Sequence, residues 1–175
     1  MPSPTDLAIT RTNAPLAAAA TAPQQGELLL IVGIGARRFA LPVAAIARVL
    51  PMAAPTPLPD APPGIIGALP FRGALLPVVD PRPRLGQPAV APQPDQHLVA
   101  VAADVRYLLW VDRAETVVAA PPLAVADLPG EEAEPVAPHL VLLGGDYLPV
   151  LSVAALAPAP PHSLRGAALG TRTQR

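Results

Sequence analysis

Gly67-Ala68-Leu69-Pro70-Phe71-Arg72-Gly73-Ala74-Leu75-Leu76-Pro77-Val78-Val79-Asp80 is the stretch on which the fold turns. Two short apolar runs, Ile65 to Leu69 and Ala74 to Val79, flank Phe71-Arg72-Gly73. A glycine-containing turn between such runs predicts a β-hairpin. Pro77 lies inside the second run, and a proline cannot donate to a strand ladder, so its place should be an edge or a bulge. A similar pattern returns 72 residues later as Gly145-Asp146-Tyr147-Leu148-Pro149-Val150-Leu151, with Pro149 matching Pro77. A second pair, Arg38-Phe39-Ala40-Leu41-Pro42-Val43 and Arg106-Tyr107-Leu108-Leu109-Trp110-Val111, is offset by 68 and occurs in the same order. The two readings are chance similarity in a biased composition, or an internal duplication. A duplication gives two half-domains of five or so strands packed face to face, each too small for a good core and therefore sharing one.

The rest of the chain fits an all-β barrel or sandwich with short helices. Leu28 to Ile34 is a strand, Gly35 to Arg37 a turn and Arg38 to Pro42 the return. Val43, Ile46 and Leu50 have helix-like spacing, but the segment is short enough to be one turn leading into a strand. His97 to Ala102 and Tyr107 to Val111 flank a turn at Ala103 and Asp104, and Thr116 to Ala119 is a further strand. Leu140 to Leu143 and Tyr147 to Leu151 form a third hairpin around Gly144-Gly145-Asp146. The expected domain runs from residue 26 to 157. Residues 1 to 25 and 158 to 175, rich in Ala and Pro without periodicity, read as a flexible leader and tail.

Composition removes several function classes. Of 175 residues, 35 are Ala and 27 Pro, and all twelve basic residues are Arg. This bias reads first as a GC-rich genomic signature. A chain without lysine has no Walker-type phosphate loop, no Schiff-base amine and no Lys general base. A chain without cysteine has no disulfide, thiolate metal site or cysteine nucleophile. The formal charge of −1 leaves no electrostatic footprint for nucleic acid. The longest apolar run, Leu28 to Ala36, is nine residues, against roughly 20 for a membrane span. Ala17 to Ala20 lacks the Leu-rich centre of a secretion signal.

Catalytic and cofactor motifs fare no better. Val32-Gly33-Ile34-Gly35 invites a dinucleotide reading, but Arg38 stands where a small residue is needed, and Pro42 argues against the helix. His97, His139 and His162 lie far apart, and no metal site is expected from them. Ser152 has no nucleophile-elbow context. Asp80 and Asp112 each end an apolar strand; they could form an acid pair, but capping of the following turn is favoured. No catalytic residue and no cofactor are expected. Arg72, on a hairpin with apolar neighbours, is either a fork-shaped anchor for a partner or a solvated turn residue.

These residues also carry a resemblance. Gly67 to Asp80 resembles the most recognisable stretch of the CheW family, G-V-x-N-L-R-G-x-x-x-P-V-V-D-L. Gly26 to Leu50 looks like that family's opening hairpin and V-x-x-V segment. Thr56 to Pro62 looks like its Pro-rich approach, and Tyr107 to Val118 like its second-half strand pair. About 130 residues are covered in the right order. The resemblance implies two five-stranded SH3-like β-barrel lobes sharing one hydrophobic core. It also implies a non-catalytic, cytoplasmic adaptor between methyl-accepting chemoreceptor tips and the regulatory domain of a CheA-type histidine kinase. By position, Arg72 and Gly73 would belong to the partner-facing hairpin, Ile46, Arg48 and Val49 to a receptor or kinase contact region, and Gly67 to tight backbone geometry. The chain departs from the pattern at Pro70 (family Asn), Pro81 (family Leu), Arg48 (often Glu) and Ser152 (Asp or Asn). Residues Pro135 to Leu140 lack the usual aromatic-x-x-Gly approach. Partner choice is where such changes would act. The reading from another class is a β-barrel small-molecule binder using the space between the lobes, for which the sequence supplies few polar groups.

Overall fold

The structure, a computed structural model, describes residues 26–120, 125–127 and 136–158. The leader and, apart from Pro158, the tail expected from composition lie outside them. Eleven strands are found among the described residues: β1 (Leu28–Ile34), β2 (Arg37–Pro42), β3 (Ile46–Pro51), β4 (Ile65–Phe71), β5 (Ala74–Val79), β6 (His97–Ala102), β7 (Arg106–Val111), β8 (Arg113–Ala119), β9 (Val125–Asp127), β10 (His139–Leu143) and β11 (Asp146–Val150). A 3-10 turn at Val43–Ala45 leads into β3, a second follows β5 at Arg82–Leu85, and one helical turn, α1 (Val153–Leu156), follows β11. Only the short β9 has no counterpart in the sequence reading.

The strands form two sheets, ordered β8-β1-β2-β11-β10-β9 and β3-β6-β7-β5-β4. Without β9, one order maps onto the other when β1, β2, β3, β4 and β5 are exchanged for β6, β7, β8, β10 and β11. The duplication is therefore structural, but its two copies are not the two lobes. Parallel pairing joins β2 to β11 at Ala40 and Val150, and β7 to β5 at Leu108–Val78 and Leu109–Val79. Each half of the chain thus lends strands to the other half's sheet.

This exchange explains the proline positions. In sheet order β5 and β11 are interior strands, where proline is normally excluded. Pro77 and Pro149 pair only with the antiparallel neighbour, opposite Ala68 and Leu140. The parallel partner joins one residue later, so each proline occupies a local edge.

Burial follows the same symmetry. In β1, Leu30, Val32 and Ile34 point into a large central core, whereas Leu29 and Ile31 point into a smaller one within their own lobe. In β7, Tyr107, Leu109 and Val111 join the central core, whereas Leu108 and Trp110 fill the core of the other lobe. Strands buried on both faces read as continuous apolar runs rather than alternations. The lobes share a core, as expected, and each also keeps a smaller one. Leu85 and Leu156 from the two short turns close the central core. Ser152 caps α1 by accepting a hydrogen bond from the Ala155 N–H at 3.2 Å.

Candidate protein-interaction surface

Arg72 and Gly73 form the two-residue turn between β4 and β5, with φ of 49° and 78°. Two left-handed residues make a type I′ turn, the form whose twist matches a hairpin. Glycine enters this region freely and arginine does not. The equivalent turn between β10 and β11 is Gly144-Gly145, which avoids the strain. The two hairpins thus differ at this turn, and only the first carries a side chain on it.

That side chain is exposed, and its guanidinium lies 5.4 Å from the centre of the Phe71 ring. Phe71 and Leu69 are half-buried against the core of their lobe, and Leu75 is 64% exposed. The hairpin presents the Arg72 cation and, on the face opposite Leu69 and Phe71, the exposed Leu75. Gly67 is buried at a β-bulge within β4, with φ of 150°. A Cβ there would lie 2.5 Å from the Thr56 carbonyl oxygen. Its absence lets the Pro-rich segment pair across, with Thr56 and Ala68 exchanging N–H···O bonds of 2.9 Å each. That bridge covers part of the β4 edge.

Ile46, Arg48 and Val49 lie on β3, at the other edge of the same sheet. Arg48 is exposed beside a bulge, while Ile46 and Val49 are half-buried against the central core. The six residues singled out in the sequence thus divide into a hairpin group and an edge-strand group, and the sheet order separates them. Sequence reasoning missed the counterpart of Leu75 on the second hairpin, Tyr147, which is 66% exposed beside Leu142. The 72-residue offset was the signal that could have found it.

It also missed a buried polar cluster. Arg82 is 1% exposed, donates from Nη1 to Asp80 Oδ1 at 2.9 Å and bonds Asp112 Oδ1 through Nη2. Its guanidinium sits 4.1 Å from the centre of the Trp110 ring. Gln96 donates to Asp112 Oδ1 at 2.6 Å and accepts from Trp110 Nε1 at 2.9 Å. Asp80 also accepts from the Arg82 backbone N–H at 3.0 Å, as capping of the following turn requires, whereas the bonds of Asp112 go to Arg82, Gln96 and Gly35 instead. The pairing of both aspartates to one arginine is not visible in the sequence, because Asp80 and Asp112 are 32 positions apart. Asp112 Oδ2 accepts from the Gly35 N–H at 2.5 Å, which ties the cluster to the β1–β2 turn of the other sheet. These bonds pair Arg82 with both carboxylates and hold Gln96 between Asp112 and Trp110, an arrangement that fixes their geometry.

Among the described residues, no three His, Asp or Glu side chains converge as metal ligands, and no helix is long and apolar enough to cross a membrane. The CheW-like domain family matches residues 28–160. A chemotaxis protein CheW from Rhizobium meliloti (strain 1021) is 34% identical over 77 residues, 44% of this chain. The chain spans about half the length of that relative, 49%. The crystal structure of the scaffolding protein TtCheW from Thermoanaerobacter tengcongensis superposes with a TM-score of 0.65 at 17% identity, covering 72% of this chain and 88% of that one. At that identity the likeness concerns the fold.

Proposed function

The chain belongs to the CheW-like domain family, and from that membership we propose a non-catalytic adaptor that couples chemoreceptors to a CheA-type histidine kinase. It would act on the cytoplasmic side, presenting two binding faces held rigid by the exchanged strands and the shared core. The observation that supports the reading is Arg72: a strained, exposed cation over the Phe71 ring, on a turn whose duplicate is Gly-Gly. Kinase contact is assigned to this hairpin. Receptor contact is assigned to the β3 edge, where Arg48 would set the charge a partner must match.

The test is binding of the purified chain to the regulatory domain of its cognate kinase. Arg72→Glu should weaken binding at least about thirty-fold, a hot-spot loss of ~2 kcal/mol, with an unchanged melting temperature. Unchanged affinity would remove the hairpin from the interface. Arg48→Glu should leave kinase binding intact and alter receptor binding.

A further inference from the structure

The two sheets leave β3, β4, β8 and β9 as edge strands among the described residues. An open edge is a template for another strand, and proteins blunt it with proline, short length or a covering segment. β4 carries Pro70 and the Thr56 bridge, β3 ends in Pro51, and β9 has three residues. β8 runs seven residues, Arg113–Ala119, without proline or glycine. A register shift opposite Leu30 and Val32 leaves Val117 to Ala119 as its regular part. Ala120 donates its N–H to the Glu27 carbonyl at 2.7 Å, so by antiparallel alternation Val117 and Ala119 turn theirs outward. On the same face Val117 is 50% exposed and Leu28, paired to Ala119, is 49% exposed.

The chain itself supplies a strand for this edge. Residues 1 to 25 join the fold at Gly26, whose N–H bonds the Ala120 carbonyl at 3.2 Å, so they enter at the end of β8. Among them Leu7 and Ile9 are the one pair of large apolar residues at the two-residue spacing of a strand face. Antiparallel to β8 with Ile9 opposite Val117, Leu7 falls opposite Ala119 and Arg11 beside Glu115. Moving the register two residues one way sets Arg11 against Arg113, and the other way carries Leu7 past Ala120. Residues 13 to 25 reach about 43 Å when extended, against about 23 Å for the return along β8. We propose that Leu7 to Thr10 add to β8 as a further antiparallel strand, burying Val117 against Ile9. The contact closes the longest open edge. It lies on the other sheet from the Arg72 hairpin and β3, and it stands whether or not the chain binds a kinase.

Amide hydrogen exchange, followed by NMR on the ¹⁵N-labelled full-length chain, reads the outward N–H groups of Val117 and Ala119. Both should exchange slowly in the parent, and at least about ten-fold faster in Ile9→Pro, which removes a donor at the centre of the contact. Arg11→Glu opposes Glu115 in this register and should speed exchange about three-fold. Neither variant alters a residue of the two sheets, and protection should not depend on chain concentration. Fast exchange of both amides in the parent, unchanged rates in Ile9→Pro, or protection that falls on dilution would each overturn the proposal. The last result would mean that a second copy covers the edge.

Discussion

Arg72 and Gly67 both hold positive-φ backbone, yet substitution should act differently at the two positions. Arg72 occupies the left-handed region at a cost of about 1–2 kcal/mol. Glycine would relieve that strain while adding roughly 0.4–1 kcal/mol of unfolded-chain entropy. Arg72→Gly should therefore be as stable as the parent or slightly more so, and still lose kinase affinity. Thermal denaturation and titration calorimetry on the same sample separate the two effects, and a variant that melts lower and binds normally would contradict both. Gly67 is the opposite case. Its Cβ would collide with the Thr56 backbone oxygen rather than with a flexible side chain. Gly67→Ala should cost about 2 kcal/mol or more, read as a lower urea midpoint, and should free the Thr56–Ala68 bridge.

At the scale of elements, most of the fold was legible because hairpins are local. Three turns with glycine between apolar runs placed β4–β5, β10–β11 and β1–β2, and the single turn before β3 was read from its length. The strand exchange was not legible, since parallel pairing between β2 and β11 joins residues about 110 apart and leaves no local pattern. Pro77 and Pro149 carried a trace of it, marking where the parallel partner has not yet joined. The turn α1 is held the same way, by contacts from afar. Tyr107 Oη donates to the Val153 carbonyl at 2.7 Å, and Arg84 donates to the carbonyls of Ala155 and Ala157. Burial pushes the Tyr107 phenol well above its ordinary value of 10, although nearby Arg84 opposes this. A phenol whose pKa rises on folding keeps its proton more tightly in the native state. Its contribution is thus intact below pH ~10 and lost as pH climbs above that value. Tyr107→Phe should cost about 1 kcal/mol at neutral pH and make the alkaline decline in stability shallower. Urea melts at pH 7 and above pH 10 check this, and an equal decline in both proteins would refute it.

For the whole molecule, polar and apolar contacts both tie one sheet to the other. The hairpin surface was legible from residues 67 to 80, but the Arg82 cluster was not, because Asp80, Gln96, Trp110 and Asp112 meet only after the sheets form. Arg82 lies buried between two carboxylates, whereas Arg38 pairs with Glu115 at 2.9 Å on an exposed surface. Removing Arg82 leaves buried charge uncompensated. Arg82→Ala should therefore cost about 3–5 kcal/mol, against less than ~1 kcal/mol for Arg38→Ala. The strand exchange makes a stronger demand on cooperativity. Leu30, Val32, Phe39 and Leu41 share the central core with Val99, Tyr107, Leu109 and Val111, which come from the other sheet. Neither half of the chain can complete its sheet alone, so neither lobe should outlast the other during unfolding. Trp110 fluorescence, which reports one lobe, and far-UV circular dichroism, which reports both, should fall on a single urea transition. Two transitions, or a midpoint for Trp110 that departs from the dichroism, would mean that each lobe's smaller core sustains it without the shared one.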